Sequence, residues 1–268
     1  MDATLSRVLK DSTWTQLQQA VQKVRGRRGR PSFNDRAFFD GVVWILRTGA
    51  PWRDLPQCFG RWQTVYRRFS RWSEQGLWAR MHDVLRDTAC TGMPSPSLCA
   101  IDSTAMRVHQ HGAPPKACHA SQAVGSSRAG KTTKLHAAVS VNANGSFVAW
   151  QAILSPGQRH DICASDAITQ NLPASVQTVI ADRAYDARSF RRLLQERGLR
   201  AVVPYQRGGS PKTSLDKRAY GHRNMVERFF ARIKQYRRVA TRYDRLATMF
   251  LGFLYLAFSL AMTSFGAS

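Results

Sequence analysis

Two aspartates follow short apolar runs: Asp102 stands after LCAI and Asp182 after SVQTVIA. Side chains at such positions leave the pleat and face a crevice, where ligands gather in open α/β sheets. A turn or cap role suits either aspartate on its own, so a third acid decides. Glu227 lies in YGHRNMVERFFARIKQYRR and is the sole acid among eight Lys and Arg from Lys217 to Arg238. Counted from Tyr220, the residues Arg223, Glu227 and Lys234 fall at +3, +7 and +14, offsets that share one helical face, with Arg238 continuing it. A solvated cationic helix with one i,i+4 pair would show the same spacing. A lone carboxylate amid phosphate-seeking cations suits another chemistry. With the two aspartates it could hold two Mg²⁺ ions, one activating water or a 3′-hydroxyl and one stabilising the leaving oxygen of an in-line phosphoryl transfer.

The elements that must position these acids differ along the chain. Asn34 can cap a helix whose apolar residues Ala37, Phe38, Val42, Ile45 and Leu46 follow the 3.6 period, and Gly49 closes it. After a turn-rich GAPWRDLPQCFG, RWQTVYRRFSRW places Trp62, Val65, Tyr66, Phe69 and Trp72 on one face. Thr64, Arg67, Arg68 and Arg71 fall on the other, which makes this helix the candidate major-groove reader. The Pro, Gly and Ser of TGMPSPSL, residues 91–98, mark a linker and divide the chain into a helical domain, 1–92, and a second domain, 93–268. In the second, LCAI, LHAAVSVNANGSFVAWQAIL with an Asn-Gly turn at 144 and 145, SVQTVIA and AVVPY read as strands. A helix from Ala187 to Glu196, capped by Asp186, lies between the last two. A hairpin followed by alternating strands and helices gives an α/β fold with a mixed sheet.

Charge names the class of partner. Among 268 residues, 40 Lys and Arg against 17 Asp and Glu leave a net charge of +23. Thirty-two of the cations are Arg, whose planar fork matches phosphate, so nucleic acid is favoured over a membrane surface. Five scattered cysteines without a Cys-x-x-Cys pair argue against a disulfide framework and against a cysteine zinc site. The opening MDATLSRVLKDSTW lacks an apolar signal core, which predicts a cytoplasmic, nucleoid-associated protein. From Leu246 to Ala267 no charge occurs, and Thr, Ser and Gly dilute the run, so a helix buried against a sheet is expected in place of a membrane span. GSSRAGKT, residues 125–132, spells a P-loop but precedes a strand-like run, so Arg128, Lys131 and Lys134 are read as DNA contacts and no nucleotide cofactor is expected. The tryptophans at 44, 52, 62, 72 and 78 are read as core, not as stacking platforms.

Three passages together resemble the insertion-sequence DDE transposases, of the group conventionally numbered five within the larger group numbered four. They are GRPSFNDRAFFDGVVWILRTGAPWRDLPQCFGRWQTVYRRFSRW, the acid-bearing AIDST and IADRAYD, and Tyr220-x2-Arg223-x3-Glu227-x6-Lys234, which reproduces the family's Y-R-E-K spacing. The resemblance implies an RNase H-like catalytic core, with Asp102, Asp182 and Glu227 as a triad holding two Mg²⁺ ions for which Mn²⁺ can substitute. It implies a preceding all-α, helix-turn-helix-like domain that binds the element's terminal repeats, with the basic arm 23–31 a candidate for the minor groove. Tyr220, Arg223 and Lys234 would meet DNA phosphates near the cut, and Arg238, which continues their face in the sequence, is read as a further DNA contact. The implied activity is cleavage at the element's ends and joining of the 3′-hydroxyls to target DNA, by a chain that self-associates on DNA. An RNase H-like nuclease without strand transfer, or a DNA-binding regulator derived from such an enzyme, is the alternative.

Overall fold

The computed structural model describes residues 8–26, 34–127, 130–205 and 215–263. Arg128 and most of the basic arm lie outside them. The described chain divides into two compact units. One comprises residues up to Thr91, His109–Ala113 and those from Ile233 onward; the other comprises Gly92–Val108 and Pro114–Arg232.

The first unit begins with four helices, α1 (Asp11–Val24), α2 (Asp35–Thr48), α3 (Trp62–Glu74) and α4 (Leu77–Cys90). The caps of α2 are those the sequence calls for: the Asn34 side chain accepts the Ala37 N–H at 2.9 Å, and Gly49 is left-handed at φ 68°. Phe38, Phe39, Val42, Ile45 and Leu46 are buried on its inner face. In α3 the face holding Val65, Phe69 and Trp72 is buried, while Thr64, Arg67 and Arg71 are exposed. Arg68 departs from the expected pattern. Its guanidinium pairs with Asp35 at the start of α2 and lies 4.0 Å from the Phe38 ring centre, so packing holds it away from any external ligand. Trp72 and Trp78 are core, within a ring cluster that includes Phe38, Phe39 and Phe69.

The second unit is built on a mixed sheet of β1 (Leu98–Val108), β2 (Gly125–Ser127), β3 (Gly130–Val141), β4 (Phe147–Pro156), β5 (Thr178–Ala181) and β6 (Arg200–Val202). β3 and β4 form the expected hairpin around Asn144-Gly145. β3 pairs antiparallel with β1, β1 runs parallel to β5, and β5 runs parallel to β6. The order β4-β3-β1-β5-β6, an antiparallel meander extended by two parallel strands, is that of an RNase H-like core. The short β2 pairs with the start of β3, so the P-loop-like stretch runs into two strands of a ladder where that motif would need a strand followed by a helix. Helices α5 (Ser165–Thr169) and α6 (Arg188–Glu196) contribute Ile168, Phe190 and Leu194 to a core shared with Cys99, Ile101, Val179 and Tyr185. Asp186 does not cap α6. Ala187 occupies the cap position, and the Asp186 carboxylate accepts from Arg191 Nε at 2.9 Å, a charge-assisted bond that outweighs a neutral cap.

The cationic segment is not one helix. α7 (Lys217–Gly221) ends at a glycine, the weakest helix former in the run, and α8 (Asn224–Ile233) starts anew after His222 and Arg223. Val226 and Phe229 bury one face of α8, Phe229 against Phe147 of β4 with ring centres 5.8 Å apart.

Past α8 the chain rejoins the first unit through α9 (Arg237–Ala240) and α10 (Ala247–Thr263). α10 is buried, as expected, but against α3 and α4 and not against the sheet. A helix apolar on every side has no face for water and needs cover all round. The aromatic faces of α3 and α4 supply it: Phe253 stacks on Phe69 at 4.3 Å between ring centres. Gly252 permits the approach, because a Cβ there would stand 2.5 Å from Ser73 Oγ and 3.0 Å from the Trp78 ring. Among the described residues no helix is long and apolar enough to cross a membrane.

Candidate active site

The register of the sheet brings the two aspartates together. The parallel β1–β5 ladder ends on the rung Ile101↔Ala181, so Asp102 and Asp182 are the next residues on adjacent strands, which stand about 4.8 Å apart. Asp182 leaves its strand there, as expected, and caps the 3-10 turn Arg183–Tyr185 by accepting the Ala184 N–H at 2.9 Å. Asp102 does not end its strand. β1 continues to Val108 along β3, and only the partner on the β5 side is lost.

Glu227 is tied to Asp102 by Arg223. One guanidinium nitrogen of Arg223 donates to Asp102 Oδ2 at 2.9 Å, and the other donates to Glu227 one helical turn away. The i,i+4 spacing read in the sequence therefore survives the break between α7 and α8. Burial pushes the Asp102 carboxyl up to about 6; the negative charges of Asp182 and Asp161 push the same way, against the Ser103 N–H and Arg223.

A further acid, Asp161, joins the site. It begins a 3-10 turn five residues beyond β4, accepts Ser103 Oγ–H at 2.8 Å and pairs with Lys134 Nζ at 2.8 Å. The polar stretch SPGQRH before it hides the strand it follows, although the apolar AWQAIL upstream marks that strand. Beside it, His136 is fully buried, and burial lowers its pKa to about 4, so the ring is neutral. The Tyr185 hydroxyl is buried with no hydrogen-bond partner among the described residues, and that burial raises its pKa, with Asp161, Asp102 and Asp182 pushing the same way.

The expected DNA contacts divide. Lys131 is exposed. Lys134 is drawn inward by Asp161 and by the carbonyl of Arg159, with only 17% of its side chain exposed, so it is not a free cation at the surface. Tyr220 and Arg223 stand together, the guanidinium 6.0 Å from the ring centre. Lys234 follows the end of α8, half-buried. Arg238 does not face outward: it is 4% exposed, donates to Asp244 at 2.9 Å and to the Ala50 carbonyl at 3.0 Å, and packs over Phe253. The charge of Asp244 draws it into the helical core.

The donor set suits a hard divalent cation, since carboxylate oxygens are the ligands Mg²⁺ and Mn²⁺ prefer. As the side chains stand, no three His, Cys, Asp or Glu among the described residues converge closely enough to hold an ion, and the Arg223 guanidinium is the cation that joins Asp102 to Glu227.

Residues 9–82 match the family model described as "Putative transposase of IS4/5 family (DUF4096)", and residues 93–262 match "Transposase DDE domain". A protein of Brucella ovis named "Putative transposase for insertion sequence element IS6501" is 35% identical over 128 residues, 47% of this chain and 94% of that protein. An uncharacterized protein of Sinorhizobium fredii, y4sN, is 39% identical over 106 residues, 39% of this chain and 80% of its own. A pre-cleavage Mos1 transpososome covers 91% of this chain and 82% of its own at 13% identity, with a TM-score of 0.26, and the strand order, not this likeness, carries the fold. With the DDE domain spanning residues 93–262 and Asp102 and Asp182 just past the last rung of two parallel strands, the chain belongs to the DDE transposases of the IS4/5 insertion sequences.

Proposed function

We propose that this transposase binds the terminal repeats of its own insertion sequence, cleaves at their ends and joins the freed 3′-hydroxyls to target DNA, with Asp102, Asp182 and Glu227 as its metal-binding triad. The observation that carries this reading is the last rung of the β1–β5 ladder, after which Asp102 and Asp182 follow on adjacent strands, with Glu227 linked to Asp102 through Arg223. Two Mg²⁺ ions, or Mn²⁺ in their place, would activate the attacking oxygen and stabilise the leaving one. The carboxylates of Asp102 and Asp182 would hold them on the sheet, and Glu227 would complete the set from α8. Arg223, with Tyr220 beside it, would turn from the carboxylates to a DNA phosphate, for which its planar fork is suited. Lys131 and Lys234 are further phosphate contacts.

The helical unit takes the DNA-binding role, with Thr64, Arg67 and Arg71 of α3 facing the groove, and the sheet unit takes catalysis. Two element ends must be joined in one event, so the protein works as a self-associated complex on DNA, in the cytoplasm with the nucleoid. No nucleotide cofactor enters the reaction. Alanine at Asp102, Asp182 or Glu227 is expected to abolish cleavage of a terminal-repeat duplex while leaving its binding within a few-fold of the parent. A variant that still cuts removes that residue from the triad. Cleavage without strand-transfer products on a target plasmid would reduce the enzyme to a nuclease.

A further inference from the structure

The Lys134–Asp161 pair has no part in the reaction as described, yet it is built against it. Asp161 Oδ1 accepts both Lys134 Nζ–H and Ser103 Oγ–H at 2.8 Å, and the N–H of the same Ser103 donates to Asp102 Oδ1 at 2.7 Å. Ser103 is thus a two-ended link from one carboxylate to the other. Lys134 is anchored by a second bond, to the Arg159 carbonyl at 2.8 Å, and both members of the pair are 17% exposed. At such burial the charges act on their neighbours through little water. The Nδ1 of His136 lies 4.0 Å from Asp161, and that ring nitrogen has no hydrogen-bond partner among the described residues. Its other nitrogen faces Ser155 Oγ at 2.8 Å. The buried Tyr185 hydroxyl also has no partner among the described residues and feels the charges of Asp161, Asp102 and Asp182.

We propose that the Lys134–Asp161 ion pair sets the charge of the metal site: Asp161, linked through Ser103 to Asp102, adds negative potential that strengthens divalent-cation binding, and Lys134 offsets part of it. Asp161 is therefore a positioning residue and not a metal ligand. The inference rests on the reading of Asp102 as a ligand. It gives the two members of one ion pair opposite effects. Losing the acid weakens cation binding, whereas losing the base leaves Asp161 uncompensated and tightens it. A pair that only held the fold together would do harm from either side.

The test is calorimetric titration of Mn²⁺ into the full chain and its variants without DNA, with thermal melting of each as the control for folding. Asp161→Asn is expected to weaken Mn²⁺ binding about tenfold, the usual scale for a group behind a metal ligand. Lys134→Gln is expected to tighten it roughly threefold, and Asp161→Glu, which keeps the charge, to stay near the parent. Weaker binding in both Asp161→Asn and Lys134→Gln overturns the proposal, as does unchanged binding in Asp161→Asn while Asp102→Ala loses the ion. Parent-like binding by Asp102→Ala would instead bring down the metal reading, and this inference with it.

Discussion

Arg223 donates from Nη1 to Oδ2 of Asp102 at 2.9 Å across 121 residues of sequence. The same guanidinium holds Glu227, so a single cation gathers two members of the proposed triad. An arginine can do this and still exchange partners, because its fork fits carboxylate and phosphate alike. In the free protein it balances the acids that the sheet brings together.

The raised Asp102 carboxyl makes stability depend on pH, measured without added metal. The folded state holds this proton more tightly than the unfolded chain, from the ordinary 3.8 up to about 6. Stability from this group is therefore present in acid and is lost as pH rises through that window. Asp102→Asn abolishes the titration. At pH 7 it should gain up to about 3 kcal/mol over the parent, less what the Arg223 bond contributes, and the gain should vanish by pH 4. Arg223→Ala should do the reverse, destabilising at pH 7 and recovering near pH 5. Urea midpoints across pH 4 to 8 check both.

Phe253→Ala is expected to cost about 3–5 kcal/mol, since its ring is fully buried against Phe69. Gly252→Val should also destabilise, by about 1–3 kcal/mol, because its Cβ would meet Ser73 and Trp78. Denaturant unfolding followed by tryptophan fluorescence reports both, as Trp72 and Trp78 lie in that cluster. A Phe253→Ala protein with unchanged midpoint would contradict the packing.

Neighbouring arginines of α3 should behave differently. Arg67→Ala and Arg71→Ala remove exposed cations, so each should weaken terminal-repeat binding and lower the salt slope of affinity by about 1 while leaving stability nearly unchanged. Arg68→Ala removes one of the two arginine partners of Asp35, leaving Arg25, and should lower stability by about 1–3 kcal/mol, with little direct effect on the salt slope. Binding measured by fluorescence anisotropy at several salt concentrations, beside melting curves, separates the two.

Much of this was legible in the sequence. Caps, turns and apolar periods are local, so α2, the hairpin at Asn144-Gly145 and the buried face of α3 follow from neighbouring residues. Asp182 was readable for the same reason, standing where an apolar run stops. What could not be read depends on partners distant in sequence. Arg68, Lys134 and Arg238 look like free cations until Asp35, Asp161 and Asp244 are placed beside them. Asp161 itself needed the β1–β3 register that brings Ser103 and His136 opposite each other. The last helix has an apolarity that fixes burial but does not say against which surface.

The packing of α10 on α3 and α4 orders events during synthesis. Chains emerge N-terminus first, and domains complete as units. Here the sheet residues are all out of the ribosome before the final helix appears, whereas α3 and α4 must wait for it with Phe69 and Trp78 uncovered. The unit begun first is thus finished last. A chain released near residue 232 would carry Asp102, Asp182 and Glu227 without a completed helical unit, so that unit gains its full core only when translation is nearly over.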